Sequence, residues 1–328
     1  MQETKNNPVV EAAEYRTEML SVSVSPHIFS TSTTRSIMLD VIIALCPALI
    51  AGCVIFGLRA LLLASVCLLC AVASEFLFNI ICKKEQTVGD LSAAVTGLLL
   101  ALNLPVNTPL WQAAIGAIFA IVVVKCLFGG IGQNFANPAI TARIFMLISF
   151  KNLASAAFPT VVDTAASATP LAILKDGGSA MPDLLDLILG VHGGAMGETC
   201  ILALLAGGVY LICRKVISWH APFAFIGTVT LLTLAISGLD LTVTLQYILS
   251  GGLFLGAIFM ATDYTTTPTT PTGRAIFGIG CGILTVIIRF WGSYPEGVSF
   301  AILLMNILTP YIDKWTARRT FGAGGKDK

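Results

Sequence analysis

The amino-acid sequence predicts an all-α integral membrane protein with about ten transmembrane helices in two inverted five-helix repeats. Three observations predict it. Of the 328 residues, 56% are apolar and 11% charged, whereas soluble domains carry roughly 25% charged residues. A water-facing surface could not be covered, which excludes a cytosolic enzyme and a disordered chain. Against the ~20 mostly apolar residues that a ~30 Å hydrocarbon core asks of a helix, ten candidate spans emerge. Finally, sliding the chain on itself by 162 residues lays Thr108-Pro109 on Thr270-Pro271 and holds without a gap for 32 positions. It pairs Gly116 with Gly278, Val124 with Val286, Phe128 with Phe290 and Ala139 with Ala301. One constant offset relates five pairs of spans, as a duplication does. Because five is odd, the halves must enter the membrane from opposite sides.

Residues 1–36 are polar, with Lys5 and Arg16 far from any apolar run and no small-residue cleavage pattern, so they read as a cytosolic leader rather than a signal peptide. The first repeat, 37–150, holds candidate spans at 37–58, 60–82, 89–104, 111–128 and 138–150. A loop at 151–198 follows. The second repeat, 199–313, holds 199–218, 221–239, 247–262, 274–291 and 297–313, and 314–328 is a polar tail. The third and eighth spans are equivalent and short. Leu91 to Leu104 makes about 21 Å of helix and runs into Pro105 and Pro109. Its counterpart ends in Ala261-Thr262-Asp263 and a hydroxyl-rich run closed by Pro268 and Pro271. Paired interruptions mark the central site of a transporter, or are Asx and Ser/Thr turns at the surface; the residues alone leave both readings open.

With the N-terminus inside, the cytosolic segments collect fifteen Lys and Arg, among them Lys83, Lys84, Lys125, Arg143, Arg214, Lys215 and Arg274. Only Arg59, Lys151, Lys175 and Arg289 fall outside. This bias puts both termini in the cytosol and the 151–198 loop on the outer face. Asp40, Glu75, Asp263 and Arg289 lie in or at the edge of apolar helices, where a central charge costs at least about 2.5 kcal/mol. Asp263, flanked by hydroxyls at a helix break, is the candidate for an ion path. Glu75 and Arg289 either face partners or reach toward head groups. The nine cysteines, Cys67 and Cys70 included, sit in or beside apolar runs and act as small hydrophobes. His27, His192 and His220 lack metal-ligand spacing, so no metal site is expected. A net charge of +1 gives no polyanion signature, and nucleic acid is not expected as a partner.

Taken alone, Asp163-Thr164-Ala165-Ala166-Ser167-Ala168-Thr169-Pro170 is an ordinary small-residue turn. Three further stretches accompany it: Ser25-Pro26-His27-Ile28; Gly129-Gly130-Ile131-Gly132-Gln133-Asn134-Phe135-Ala136-Asn137-Pro138-Ala139, leading to Thr141-Ala142-Arg143; and Phe259-Met260-Ala261-Thr262-Asp263. Together, and over nearly the whole chain, they resemble the NqrB/RnfD family of flavin-carrying membrane subunits. The resemblance implies a flavin mononucleotide (FMN) joined through its phosphate to a Thr, in a motif of Asp, two free positions, Ser or Thr, Gly, Ala, then Ser or Thr. By position the acceptor is Thr169, with Ala168 before it and Asp163 six residues upstream. Ala166 and Ser167 depart from the motif, and Ser167 is the second candidate acceptor. The resemblance also implies a flavin transferase for maturation and a noncovalent riboflavin in the membrane domain. Asn134, Asn137 and Arg143 are its candidate polar anchors, although Asn137-Pro138 is equally a helix start.

The function so implied is that of a subunit in the cell membrane, within an Rnf-type complex that couples ferredoxin:NAD electron transfer to Na⁺ or H⁺ translocation. A phosphoester on the outer loop would fix a soluble redox group beside the next carrier. Moving one charge against 100 mV costs about 2.3 kcal/mol, so the redox drop must act on a gated path. The sequence has no Gly-rich nucleotide fingerprint and no Fe–S cysteine cluster, so soluble carriers are expected to dock on other subunits. Two rivals stand beside it. One is a component like the B subunit of the Na⁺-pumping NADH:quinone oxidoreductase, expected to have a longer region before its first span. The other is a flavin-free channel or transporter of the urea or ammonium type, for which inverted five-span repeats suffice.

Overall fold

The computed structural model describes residues 33–150, 169–176, 181–198, 200–292 and 296–317. Among them every regular element is a helix. The first part of the chain forms α1 (Thr34–Phe56), α2 (Leu58–Ile81), α3 (Ser92–Leu102), α4 (Leu110–Cys126) and α5 (Pro138–Ser149). Two short helices follow, α6 (Pro170–Asp176) and α7 (Leu184–Leu189). The second part forms α8 (Ile201–Cys213), α9 (His220–Ile236), α10 (Leu241–Leu249), α11 (Leu253–Met260), α12 (Pro271–Trp291) and α13 (Val298–Thr316).

Local sequence explains several starts. The Asn137 carboxamide accepts from the amides of Ala139 and Ile140, and Thr270 Oγ1 accepts from the Gly273 amide, each with Pro at the next position. A capping oxygen followed by a residue with no amide hydrogen satisfies the free end of a helix. Asp240 caps α10 in the same way through Thr242 and Val243. The second half of α4, Phe119–Cys126, and Gly256–Met260 of α11 are wound as π-helix, a widening that recurs at functional sites.

A helix lies at each of the ten apolar stretches. By length and composition α1, α2 and α12, of 23, 24 and 21 residues, can each cross a bilayer, and α10 with α11, bent by 63° at their break, makes a fourth if taken as one span. Others are short: α3 has 11 residues, a rise of about 16 Å. Large apolar side chains such as Ile50, Val54, Leu58, Ile81, Val209, Leu231, Trp291 and Trp315 stand exposed around the bundle. Water does not tolerate so broad an apolar surface, whereas lipid does; this is a membrane protein.

The eighth stretch breaks earlier than its hydroxyl-rich end suggested. The chain turns at Ser250-Gly251-Gly252, where Gly251 takes φ +75°, a left-handed conformation that costs glycine little. The 162-residue offset places Gly251 on Gly89, inside a 3₁₀ turn (Val88–Asp90) that ends with Leu91 at φ 61°. Both halves are therefore interrupted at equivalent points, just ahead of α3 and α11. The helix pairings also recur: α2 on α4 as α9 on α12, α4 on α5 as α12 on α13, α1 on α3 as α8 on α11, and α3 on α5 as α11 on α13. Equivalent helices meet each other as well, α1 on α8 and α5 on α13.

The α1–α8 contact depends on a missing side chain. A Cβ at Gly207 would collide with the Ala44 carbonyl oxygen, and small residues are what let helices approach this closely in lipid. Gly207→Val should therefore cost about 1–3 kcal/mol or more through overpacking, read as a lower melting temperature in detergent. Gly227→Ala, where a Cβ meets nothing within 4 Å, should leave that temperature unchanged or raise it.

Candidate functional site

A cleft enclosing about 90 Å³, open at its mouth, is bounded by α1, α3, α4, α8 and the linker after α11. Its walls are apolar, with Met38, Val95, Leu99, Leu211 and Phe259, and its polar side chains are Ser92, Thr96, Lys125, Asn134, Asn137, Thr262, Asp263, Tyr264 and Thr265. Asn134 Nδ2 donates to Thr265 Oγ1 at 3.0 Å and to the Ala136 carbonyl at 3.2 Å. Asn137 uses its oxygen to cap α5 and its Nδ2 to reach the Met260 carbonyl at 3.3 Å. Its helix-start role is thus realised, and it ties α5 to α11 while forming part of the wall. Asp263 Oδ2 accepts from Thr265 Oγ1 at 3.0 Å and Thr266 Oγ1 at 3.2 Å. Burial lifts its carboxyl above the ordinary range although these hydroxyls oppose the shift. Asp263 also lines a smaller cavity with Ser218, Thr267 and Arg274, so one carboxylate stands between two spaces.

Arg143 is not in this cleft. From α5 it donates through Nη1 to Asn103 Oδ1 and through Nη2 to Glu198 Oε1 at 3.2 Å and to Glu296 Oε2. Nearby Arg289 of α12 donates to the Tyr247 carbonyl at 2.7 Å and the Ser250 carbonyl at 3.3 Å, closing the end of α10 at the break. Burial raises Glu296 to about 8, and burial would raise Glu198 too, but Arg143 holds Glu198 below the usual carboxylate range. Desolvation lowers His192, which faces Glu198. Sequence reasoning passed over Glu198 and Glu296 because both lie outside the apolar stretches; an isolated acid at the mouth of such a stretch was the only signal.

A second buried network sits by the equivalent break in the first half. Lys125 Nζ donates to Glu75 Oε1 at 2.8 Å and to Ser92 Oγ at 2.6 Å, and Thr87 Oγ1 donates to the same Glu75 oxygen at 2.7 Å. Glu75 and Arg289 are 2% and 3% exposed, so neither reaches toward head groups. Lys125 and Arg143, which the charge bias assigns to cytosolic segments, are likewise inside helices and ion-paired; without them the bias keeps its direction. Asp40 pairs with Arg214 at 3.2 Å and accepts from the Tyr210 hydroxyl at 2.9 Å.

Asp163, Ser167 and Ala168 lie outside the described residues. Thr169, half-buried, opens α6: its Oγ1 accepts from the Ala172 amide at 3.2 Å, with Pro170 beginning the helix. α6 lies against the break between α10 and α11, where Leu171 Cδ1 is 3.5 Å from a Cβ built on Gly251, and Lys175 donates to the Gly292 carbonyl. The sequence grouped Asn134, Asn137 and Arg143. In the structure the two Asn and Asp263 share the cleft, whereas Arg143 belongs with Glu198, Glu296 and Arg289.

Comparison with known proteins places these residues in context. The NQR2, RnfD, RnfE family matches residues 21–322. The chain is 49% identical over 307 residues to the D subunit of the Na⁺-translocating ferredoxin:NAD⁺ oxidoreductase complex of Acetobacterium woodii, covering 92% of this chain and 95% of that protein. It is 39% identical to the D subunit of the proton-translocating ferredoxin:NAD⁺ oxidoreductase complex of Clostridium ljungdahlii, covering 94% and 98%. It is 35% identical to the D subunit of the ion-translocating oxidoreductase complex of Escherichia coli, covering 92% and 98%.

The Glu75–Lys125 pair yields a test. Lys125→Met strands a buried carboxylate and should cost about 3–5 kcal/mol, whereas Lys125→Met combined with Glu75→Gln should recover much of the loss. Thermal unfolding of the purified single and double variants in detergent reads both; equal stability of Lys125→Met and the parent would show that the pair holds nothing in place.

Proposed function

This chain belongs to the NQR2, RnfD, RnfE family, and from that membership we propose that it is the membrane-embedded D subunit of an Rnf-type complex, which couples ferredoxin:NAD electron transfer to translocation of Na⁺ or H⁺. In this reading it acts as part of a translocase, beside the other subunits of that complex in the cell membrane. FMN is carried on Thr169 as a phosphoester placed there by a flavin transferase, with Ser167 as the second acceptor. The observation that carries the reading is the Thr169 hydroxyl, half-buried at the head of α6, in a segment whose residues follow the family's attachment motif at Asp163, Ala168 and Thr169.

To this cleft we assign a second, noncovalent flavin, riboflavin, on the character of its lining. A flat tricyclic ring needs apolar walls and a few polar groups at its edge, and Met38, Val95, Leu99 and Phe259 with Asn134, Thr265 and Asp263 are of that kind. A bound flavin would supply one- and two-electron chemistry. The chain's own residues shape the pocket, keep water from its walls, and hold Asp263 between two cavities as a station on an ion path. The recurring helix pairings and equivalent breaks support ten membrane segments in two inverted repeats, 37–150 and 199–313. They are flanked by cytosolic ends at 1–36 and 314–328, with 151–198 on the outer face. Short helices such as α3 and the bent α10–α11 pair are the discontinuous elements such repeats use.

Two measurements test this. After co-expression with a flavin transferase, the denatured subunit should fluoresce in a gel, and Thr169→Ala should abolish the signal; mass spectrometry of the peptide spanning 152–175 should show an FMN-sized adduct. A colourless native protein that takes up solute without partners would establish the channel reading instead. For the cleft, Asn134→Leu should lower the flavin released on acid denaturation several-fold and leave the covalent fluorescence at Thr169 intact.

A further inference from the structure

Glu198 and Glu296 converge on the bare backbone of the break between α10 and α11. Both accept from Nη2 of Arg143, and a Cβ built on Gly252 would stand 2.8 Å from Glu296 Oε1 and 3.5 Å from Glu198 Oε1. Two carboxylates this close resist joint ionisation, so one tends to keep a proton. Among the described residues only Arg143 pairs with both; Arg289 directs its two terminal nitrogens at carbonyls. The same region gathers four polar atoms without a hydrogen-bond partner: Glu296 Oε1, Arg289 Nε, Ser250 Oγ and His192 Nε2. Ser250 is 0% and His192 5% exposed. Buried polar groups are nearly always satisfied, so orphans concentrated around one carboxylate pair point to a site that exchanges a small ligand.

The charged and titratable groups acting on the pair are Arg143 from α5, Arg289 from α12 and His192 from the 181–198 segment; Tyr247 of α10 lies beside Arg289, and Lys175 of α6 is turned to the Gly292 carbonyl. Burial of Glu296, with Glu198 adding to it against the pull of Arg143, brings its carboxyl to about 8. A raised carboxyl is protonated below that value, so near neutral pH the proton resides on Glu296. Its side chain keeps 20% of its surface exposed against 8% for Glu198, so of the two carboxyls it stands nearer the surface of the bundle.

We propose that Glu198 and Glu296 form a proton-holding site at the helix break beneath α6, with the proton held on Glu296 beside the Glu198 carboxylate and released from Glu296 to water as its own carboxylate forms. The site adjoins α6 through Leu171 and Gly251, so negative charge gathered at Thr169 would favour the protonated form. That coupling rests on the reading of Thr169 as the flavin carrier; the proton itself does not.

Infrared difference spectroscopy of the purified, assembled complex tests it. The expected result is a protonated-carboxyl C=O band that fades as pH rises through about 8, is lost in Glu296→Gln, and is kept in Glu85→Gln, a change at an exposed acid. The parent titration needs no variant, so it stands even if Glu296→Gln folds poorly. No band titrating near that pH, or the same band in Glu296→Gln, overturns the site. Loss of the band on adding NaCl at constant pH overturns it in favour of Na⁺. A titrating band that is unchanged by reduction of the complex, in protein whose Thr169 fluorescence is intact, keeps the proton site and overturns its link to the flavin.

Discussion

A guanidinium enclosed by helices has no water to hold its charge, and much of this structure is arranged around that constraint at Arg143. Buried charges persist only when paired and hydrogen-bonded, because desolvation costs several kcal/mol per ion. Arg143, 5% exposed, meets the need by drawing Asn103 from the end of α3, Glu198 from the approach to α8 and Glu296 from the turn between α12 and α13. Those partners come from both halves of the chain. One side chain of α5 therefore joins elements that chain connectivity leaves far apart, and it does so beside the point where the helix of the second half is interrupted.

The first half meets the same constraint with different residues. Glu75, Lys125, Ser92 and Thr87 close a buried network by the break that the 162-residue offset matches to Ser250-Gly251-Gly252. Broken helices expose backbone groups that lipid cannot satisfy. Polar and charged side chains gather there, and breaks and buried ions coincide for that one reason. The offset also carries Asn103 to Thr265 and Asn134 to Glu296. Asn134 bonds Thr265 directly, whereas Glu296 and Asn103 meet through Arg143. Equivalent positions thus touch across the halves while their chemistry has diverged: one contact is neutral and borders the cleft, and the other is ionic and lies under α6.

Much of this was legible along the chain. The bilayer as solvent follows from composition, helices lie at the apolar runs and begin at caps such as Asn137-Pro138 and Thr270-Pro271, and one offset relates residues 108–139 to 270–301. The hydroxyl-flanked position of Asp263 was legible as well, and the structure places it in the wall of the cleft. Less legible were Glu198 and Glu296, which look like loop acids. Lys125 and Arg143 looked like loop cations because positive charge is read as a mark of the cytosolic face, and that rule cannot distinguish a charge in water from one neutralised inside a bundle.

Hydrophobic periodicity and turn chemistry are local, so the sequence by itself determined that the chain lives in lipid and where most of its apolar helices lie. Which charges meet is not local. Arg143 and Glu296 are separated by most of the second half, Glu75 and Lys125 by an intervening helix and two turns, and no spacing rule relates them. Only tertiary packing decided that Asn134, Asn137 and Asp263 share a cleft while Arg143 faces away into an ion network. The physical reason is that a buried charge selects its partners by distance in space, in a medium where remaining unpartnered costs more than the fold can supply.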